Sequence, residues 1–195
     1  MQTPGHLGSR DDQQVLSTLN SPDPNARCDA IEKLANRGSD DALNAVIPML
    51  SSSHEQVQDC AEQLLDKPSV VARLLVIWET APEKEKIDIL GHIAQLNNEL
   101  LFDLYSKAST HPNMAIRSRV AFGLQNQETH KLQAIQLLAK LANDREPSVR
   151  RAAYRSLAVL DGPVARKIIN QQINNEDNRS NRRMLKDIRS SFEDD

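Results

Sequence analysis

Aromatic residues, glycine and long apolar runs are scarce in this sequence of 195 residues. Aromatic residues make up only 3% of the chain, beside 6 Gly and 9 Pro, so a core must be built from Leu, Ile, Val and Ala. These residue types favour packed helices over a β-sandwich. The longest apolar run, SVVARLLVIW at 69–78, is interrupted by Arg73 and is much shorter than the roughly 20 residues that span a bilayer. The composition therefore predicts an all-α protein without a membrane span.

Cysteine is equally rare, with Cys28 and Cys60 as the only two residues of this type. No basic and then apolar leader stands at the start of the sequence, which argues against a secreted fold stapled by disulfides. We therefore expect two free, partly buried thiols and a reducing cytoplasm as the cellular location.

Charge is distributed unevenly along the chain, although the formal net charge is only −3. Residues 1–97 hold 8 Lys and Arg against 15 Asp and Glu, a net of −7, whereas residues 98–195 hold 16 against 12, a net of +4. This asymmetry bears on binding partners and not on the fold.

One segment recurs six times, and its clearest copy is SVRRAAYRSL at 148–157. We align the copies on an anchor residue, the Val of that segment. The six anchors are Ala26, Val57, Glu85, Ile116, Val149 and Asn181, so they recur every 28 to 33 residues. A near-constant period of this size is typical of a repeat protein.

A small or apolar residue follows each anchor after four positions, and a larger apolar residue follows after seven or eight. This spacing places the apolar residues of each copy on one face of a helix. In the fifth copy we place Ala153 on that face and Ser156 off it. Six further helices are predicted between the copies, near 11–20, 40–52, 69–80, 98–109, 128–143 and 163–174, separated by Pro, Gly and capping residues.

The pattern predicts an all-α fold, an α-solenoid of about six antiparallel helix pairs that winds into a right-handed superhelix. We expect a flexible N-terminus at 1–10, a single repeat domain at 11–192 and an acidic C-terminal tail at 193–195.

The segment LLAKLANDREPSVRRAAYRSLAVL at 137–160 resembles a HEAT repeat, or the closely related HEAT-like repeat of the phycobiliprotein lyase class. It has an apolar first helix, an Asp in the turn, and Val-Arg at the start of the second helix. Pro48 resembles the proline of the kinked first helix in this family. The resemblance implies a ladder in which the turn Asp and the following Arg pair within and between repeats. Arg27, Arg117, Arg150 and Arg182 occupy the arginine position, and Asp144 is the one residue that we assign to the turn-Asp position.

No catalytic or metal-binding motif stands out. The five histidines are scattered over different repeats, without a spacing that brings two of them, or one and a Cys, to one helical face. The acidic pairs at 11–12 and 40–41 lie at helix starts, where capping is the expected role. Trp78 is expected to pack in the core, with a binding hot spot as the alternative. We predict that the protein is not an enzyme and needs no cofactor, and a site assembled across repeats is left open.

A row of arginines on the second helices is the candidate binding site. Arg119, Arg151, Arg155 and Arg183, here called the basic row, fall off the apolar stripe. The resemblance implies that second helices line a concave face. Matching positions in the first three repeats carry the acidic residues Asp29, Glu32, Asp59 and Asp88. The alternative is an ordinary solvated surface without a partner, since charged helix faces are normal.

The leading hypothesis is a scaffold that binds another protein through an acidic or extended segment on the concave face. A second hypothesis is a nucleic-acid-binding protein similar to the HEAT-like DNA alkylation-repair glycosylases, which the arginines favour and the net acidity opposes. A third is a lyase or chaperone for bilin-carrying phycobiliproteins, and it rests on the repeat type alone.

Overall fold

The computed structural model describes residues 9–96 and 99–192, and α-helices dominate both stretches. The helices, in chain order, are α1 (Arg10–Thr18), α2 (Pro24–Arg37), α3 (Asp40–Val46), α4 (Glu55–Glu62), α5 (Pro68–Thr80), α6 (Glu83–Ile93), α7 (Glu99–Ala108), α8 (Met114–Leu124), α9 (Lys131–Leu141), α10 (Pro147–Leu160), α11 (Pro163–Asn175) and α12 (Arg179–Ser191). Short 3-10 helices at Ile47–Ser51 and Gln63–Asp66 extend α3 and α4. Neither described stretch contains a β-strand, so the all-α prediction is confirmed.

Each predicted repeat corresponds to two consecutive helices. The odd-numbered helices are the first helices of the repeats, and the even-numbered ones are the second helices, which contain the aligned segments. The residue four positions after each anchor is buried in all six copies: Ala30, Ala61, Ile89, Val120, Ala153 and Leu185. The apolar stripe of the second helices therefore faces the core as predicted.

The helices form two compact units, one ending at Ala81 and one beginning at Pro82. In the first unit, α2 packs against α1, α3 and α4, and α3 packs against α5. In the second unit, α8 packs between α6 and α10, and α12 packs on α10, so the second helices form a layer. The first helices α7, α9 and α11 pack against members of this layer. A single domain over 11–192 stays a prediction.

Helix α1 begins earlier than predicted because its start is capped. The Ser9 hydroxyl accepts a hydrogen bond from the backbone N–H of Asp12, and the Asp12 carboxylate accepts one from the N–H of Ser9, each at 3.0 Å. This reciprocal capping box satisfies two backbone donors at the helix start. Ser9 is thus the N-cap of α1, and Arg10 is its first residue. The rest of the expected N-terminal segment and the tail at 193–195 lie outside the described residues.

The first helix of the second repeat changes its winding at Pro48, where a kink was expected. Helix α3 ends at Val46, and the chain continues as the 3-10 helix Ile47–Ser51. Proline lacks the N–H that an α-helix needs in its interior, so the tighter 3-10 turn is the physical consequence.

The residue five positions before the anchor has one role in five of the six repeats. Its side chain accepts a hydrogen bond from the backbone N–H two residues later, at 2.8 to 3.2 Å. The five residues are Ser21, Ser52, His111, Asp144 and Glu176. Local acceptors of this kind shape the turn that leads into the second helix.

The two cysteines are not free thiols, so that prediction is wrong. The Sγ atoms of Cys28 and Cys60 are bonded, and they join α2 to α4. These helices pack side by side and the two Cα atoms are 5.6 Å apart, a separation that disulfides commonly span. Disulfides are rare in a reducing cytosol. The cytoplasmic location therefore stays a prediction, without support from the cysteines.

Ser156 is buried, with an exposed fraction of 1%, although the apolar stripe placed it off the core. Its hydroxyl lies 3.4 Å from Oε1 of Gln125 at the end of α8. Helix α10 packs against α8 and α12 as well as against first helices. A helix inside a layer is covered on more sides than one stripe predicts.

Candidate binding surface on the second helices

Helices α8 and α10 lie side by side with a register that two contacts define. The Ser148 hydroxyl lies 3.8 Å from Sδ of Met114 near the start of both helices, and the Ser156–Gln125 contact follows near their ends. Between these contacts, Phe122 and Arg155 stand at the same level, six residues after their anchors. Their outward side chains therefore contribute to one surface.

Helices α10 and α12 are joined by polar contacts. The side-chain Nδ2 of Asn181 donates to the backbone carbonyl of Pro147 at 2.8 Å, and Nε of Arg151 donates to Oδ1 of Asn181 at 2.9 Å. Arg151 also donates to the hydroxyl of Ser180. Asn181, a polar anchor, is thus buried with its hydrogen-bonding groups satisfied.

The basic row divides into three exposed arginines and one that is engaged. Arg119, Arg155 and Arg183 are exposed on three successive second helices, and none forms an ion pair with another described residue. Arg151 is half-buried and links α10 to α12. The first three are available to a ligand, whereas Arg151 has a structural role.

The four acidic candidates are exposed helix residues. Asp29 and Glu32 lie on α2 and Asp59 on α4, all in the first unit. Asp88 lies on α6 in the second unit, next to α8. A continuous gradient from acidic to basic across the whole chain stays a prediction.

An exposed aromatic side chain, Phe122, lies among the arginines and was not predicted from the sequence. Phe122 has an exposed fraction of 38%, and Met114 on the same helix has 50%. Exposed apolar side chains rimmed by charge are a recurrent feature of protein-binding surfaces. The surface therefore offers apolar contact as well as positive charge.

Arginines outside the basic row form the predicted ladder. Nε and NH2 of Arg117 donate to the two carboxylate oxygens of Asp144 at 2.7 and 2.8 Å, and NH1 donates to the carbonyls of His111 and Pro112. Burial disfavours the charged form of Asp144, but the hydrogen bonds from Arg117 and from the N–H of Glu146 outweigh it and lower the pKa of Asp144. This pair ties the fourth repeat to the fifth.

Glu176 forms the next rung, which the sequence reading overlooked. It stands five residues before its anchor, as Asp144 does, so the same spacing identifies it. Its carboxylate accepts from Nε of Arg150 at 3.0 Å, from the Tyr154 hydroxyl at 2.8 Å and from the N–H of Asn178 at 2.8 Å. Burial would raise the pKa of Glu176, yet these donors lower it to about 2.

Among the described residues, the ladder arginines of the first and sixth repeats, Arg27 and Arg182, do not pair with an acid. Nε and NH2 of Arg182 donate to the backbone carbonyl of Glu176 and not to an acid. Nε of Arg27 is buried without a hydrogen-bond partner among the described residues. The turn position of the following repeat holds Ser52, which carries no charge, so Arg27 lacks the acid that completes a rung.

Candidate metal-binding residues do not converge in the described part of the chain. No group of three or more His, Cys, Asp or Glu side chains there could hold a metal ion. Trp78 is buried in α5, as core packing requires. Asp40 and Asp41 lie in the first turn of α3, where the expected stabilisation of the helix start applies. Across the described stretches, no helix is both long and apolar enough to span a bilayer.

Comparisons with known proteins agree with this architecture. Residues 102–186 match the family model for HEAT repeats. A designed armadillo repeat protein in complex with the peptide (KR)4 is 17% identical, with 92% of this chain and 98% of that chain covered and a TM-score of 0.53. Computationally designed armadillo repeat proteins for modular peptide recognition give 17% identity, 90% and 97% coverage and a TM-score of 0.52. None of the curated proteins compared with the chain matches it.

At 17% identity the similarity to the designed proteins supports the fold alone. The family model supports the repeat type of the segment that it matches. Both point to stacked helix pairs, as the anchor spacing predicted. The chain has the all-α fold of the α-solenoids, and its residues 102–186 are similar to HEAT repeats.

Proposed function

We propose that this protein is a non-catalytic scaffold that binds an extended, acidic segment of another protein across α8, α10 and α12. The observation that carries the proposal is the presence of Arg119, Arg155 and Arg183 on three successive second helices, exposed and without an ion-pair partner among the described residues. A segment that crosses these helices meets one arginine from each repeat.

Charge supports an acidic partner. Positive side chains that share one surface repel each other, and carboxylates on a ligand would remove that repulsion and add charge-assisted hydrogen bonds. The designed armadillo protein binds a peptide of Lys and Arg. On this chain the exposed charge of α8, α10 and α12 has the sign of that peptide, so a ligand of opposite charge is the expected one.

Phe122 supports recognition of a protein segment over recognition of a simple polyanion. It stands at the level of Arg155 on the neighbouring helix, and an apolar side chain of the ligand can cover it. Aromatic and arginine side chains together dominate many binding hot spots. We therefore expect a partner segment in which acidic residues flank an apolar one.

Fluorescence anisotropy with a labelled Glu-rich peptide that contains one Leu tests the proposal. Arg119→Gln with Arg155→Gln should weaken binding by at least about tenfold, equivalent to 1.4 kcal/mol, while the melting temperature stays near that of the parent. Lys131→Gln with Lys167→Gln is the matched control, since it removes two exposed positive charges from first helices. Equal weakening by both variants would assign the effect to net charge and contradict the proposed surface.

A salt series separates this proposal from nucleic-acid binding. Binding to duplex DNA neutralises many phosphates, so the affinity falls steeply as the salt concentration rises. Binding to the peptide through a few ion pairs and a buried apolar contact should depend on salt less steeply. Tighter binding to random duplex DNA than to the peptide would favour the nucleic-acid hypothesis instead.

A further inference from the structure

The first half of α12 carries a positive pocket of about 750 Å³, lined by Arg179, Ser180, Arg182, Arg183 and Lys186. We call its four cationic residues the α12 stripe. They follow one another at spacings of three, one and three residues, which places them on one face of a helix. Among the described residues, no acidic side chain lines this pocket. A group of four cations around one cavity is a site that can receive a compact anion.

The stripe carries an electrostatic cost in the isolated protein. Like charges three and four residues apart destabilise a helix. Arg179 opens α12, where the helix dipole disfavours a cation. Within the described residues, the stripe forms no ion pair, and of its four side chains Arg182 alone donates a hydrogen bond, to the carbonyl of Glu176. A bound anion would relieve this repulsion.

Side chains, and not the helix N-terminus, provide the recognition. The side chain of Asn178 already accepts hydrogen bonds from the backbone N–H groups of Ser180 and Asn181, both at 3.1 Å. A ligand at this pocket therefore meets guanidinium and ammonium groups.

We propose that the α12 stripe binds a phosphorylated serine or threonine in the acidic segment of the partner. The inference rests on the proposed function, because Arg183 belongs to both the basic row and the stripe. A phosphate monoester brings a charge of about −1.5 to −2 and three acceptor oxygens, and planar guanidinium groups bind such oxygens in pairs. A single carboxylate leaves most of these donors unused.

The pocket suits one phosphate group better than a nucleic-acid strand. Residues 179–186 rise by only about 10 Å along the helix axis. Of the residues that the structure describes, none that lines the pocket has an aromatic side chain on which a base could stack. The hydrogen bonds of Arg151 to Ser180 and Asn181 join the pocket to α10, so a segment that crosses the basic row reaches it.

Three labelled peptides of one Glu-rich sequence, with Ser, phosphoserine or Glu at the same position, test the inference by fluorescence anisotropy. We expect the phosphoserine peptide to bind at least about tenfold more tightly than the Ser peptide, and the Glu peptide to resemble the Ser peptide. Arg179→Gln with Lys186→Gln should abolish this preference and leave the affinity for the Ser peptide within about twofold. Lys131→Gln with Lys167→Gln should keep the preference intact.

The outcomes separate the two proposals. Equal affinities of the unmodified protein for the Ser and phosphoserine peptides overturn the phosphate site and leave the proposed function standing. A preference that survives Arg179→Gln with Lys186→Gln also overturns it. If no peptide binds, the proposed function fails, and the phosphate site is then tested with inorganic phosphate alone. A saturable rise in melting temperature with phosphate, absent in the Arg179→Gln and Lys186→Gln variant, supports the site, and no rise overturns it. Tighter binding of single-stranded DNA than of the phosphoserine peptide reassigns the stripe to nucleic acid.

Discussion

Replacement of Glu176 by Gln tests whether the ladder of acids and arginines holds the last two repeats together. The Glu176 side chain has no exposed surface, and the side chain of Arg150 is 11% exposed. Glutamine keeps the size and shape of the side chain but removes the negative charge. Among the described residues, Arg150 then keeps Asp177 as its one acidic partner. Its NH1 still donates to the backbone carbonyls of Asp144 and Arg145, while the donors around position 176 face a neutral group.

Two independent routes give the same magnitude. Removal of one partner from a buried ion pair costs roughly 3–5 kcal/mol, and the remaining contact to Asp177 favours the lower end. The pKa of Glu176 falls from 4.5 to about 2, and at 1.36 kcal/mol per pKa unit this corresponds to about 3 kcal/mol of folding free energy. We therefore expect Glu176→Gln to lower the free energy of unfolding by about 3 kcal/mol at pH 7.

The pH dependence has a defined sign. A carboxylate whose pKa is lowered by folding stabilises the protein above its unfolded pKa, and this contribution disappears as the pH falls through its folded pKa. For Glu176 the window runs from 4.5 down to about 2. The difference between parent and variant should therefore shrink from about 3 kcal/mol at pH 7 to about half of that at pH 3.

Urea denaturation followed by circular dichroism at both pH values measures this. Fluorescence of Trp78 is less suitable, because that residue lies in the first unit. Asp177→Asn is the matched control: it contacts the same arginine, but its side chain is 86% exposed, so it should cost less than about 1 kcal/mol. An equal cost for both substitutions, or a difference that does not shrink at pH 3, would refute the argument.

Three other substitutions or treatments have defined outcomes. A Cβ at Gly123 would lie 2.5 Å from Oη of the buried Tyr105, so Gly123→Ala should lower the free energy of unfolding by roughly 1–3 kcal/mol. Gly91→Ala is the control, since no atom lies within 4 Å of its new Cβ, and it should raise the free energy of unfolding by up to about 1 kcal/mol. Urea denaturation measures both changes. Ser156→Asp should destabilise by roughly 2–4 kcal/mol, as Ala153→Asp should, and an unchanged melting temperature would contradict its burial. Reduction of the disulfide between α2 and α4, 32 residues apart, should lower the free energy of unfolding by roughly 2–4 kcal/mol, measured with and without reductant.

The fold could be predicted because the same apolar spacing recurs in every repeat. A buried residue four positions after the anchor recurs in every copy, and chance agreement of that kind is improbable. The anchor itself is less regular: Glu85 is exposed, whereas Asn181 is buried. Each copy tolerates an exception because its neighbours supply the rest of the core.

Residues that depend on lateral packing escaped prediction. Ser156 is buried because α8 covers the side of α10 that a single apolar stripe leaves open. The disulfide needs Cys28 and Cys60 at the same height on adjacent helices, at two and three positions after their anchors. One sequence specifies the phase of each helix, but it does not state how far neighbouring helices slide along each other.

The arginines of the second helices have two roles, and their distance from the anchor separates them. One position after the anchor, Arg117 and Arg150 point toward the next turn and meet an acid there. Six positions after the anchor, Arg155 lies on the exposed side and has no such acid in reach among the described residues. Arg151, at two positions, lies between these faces and bonds α12 through neutral groups. Loss of Arg155 should thus affect binding alone, whereas loss of Arg151 also loosens α12, so a binding experiment must leave Arg151 intact.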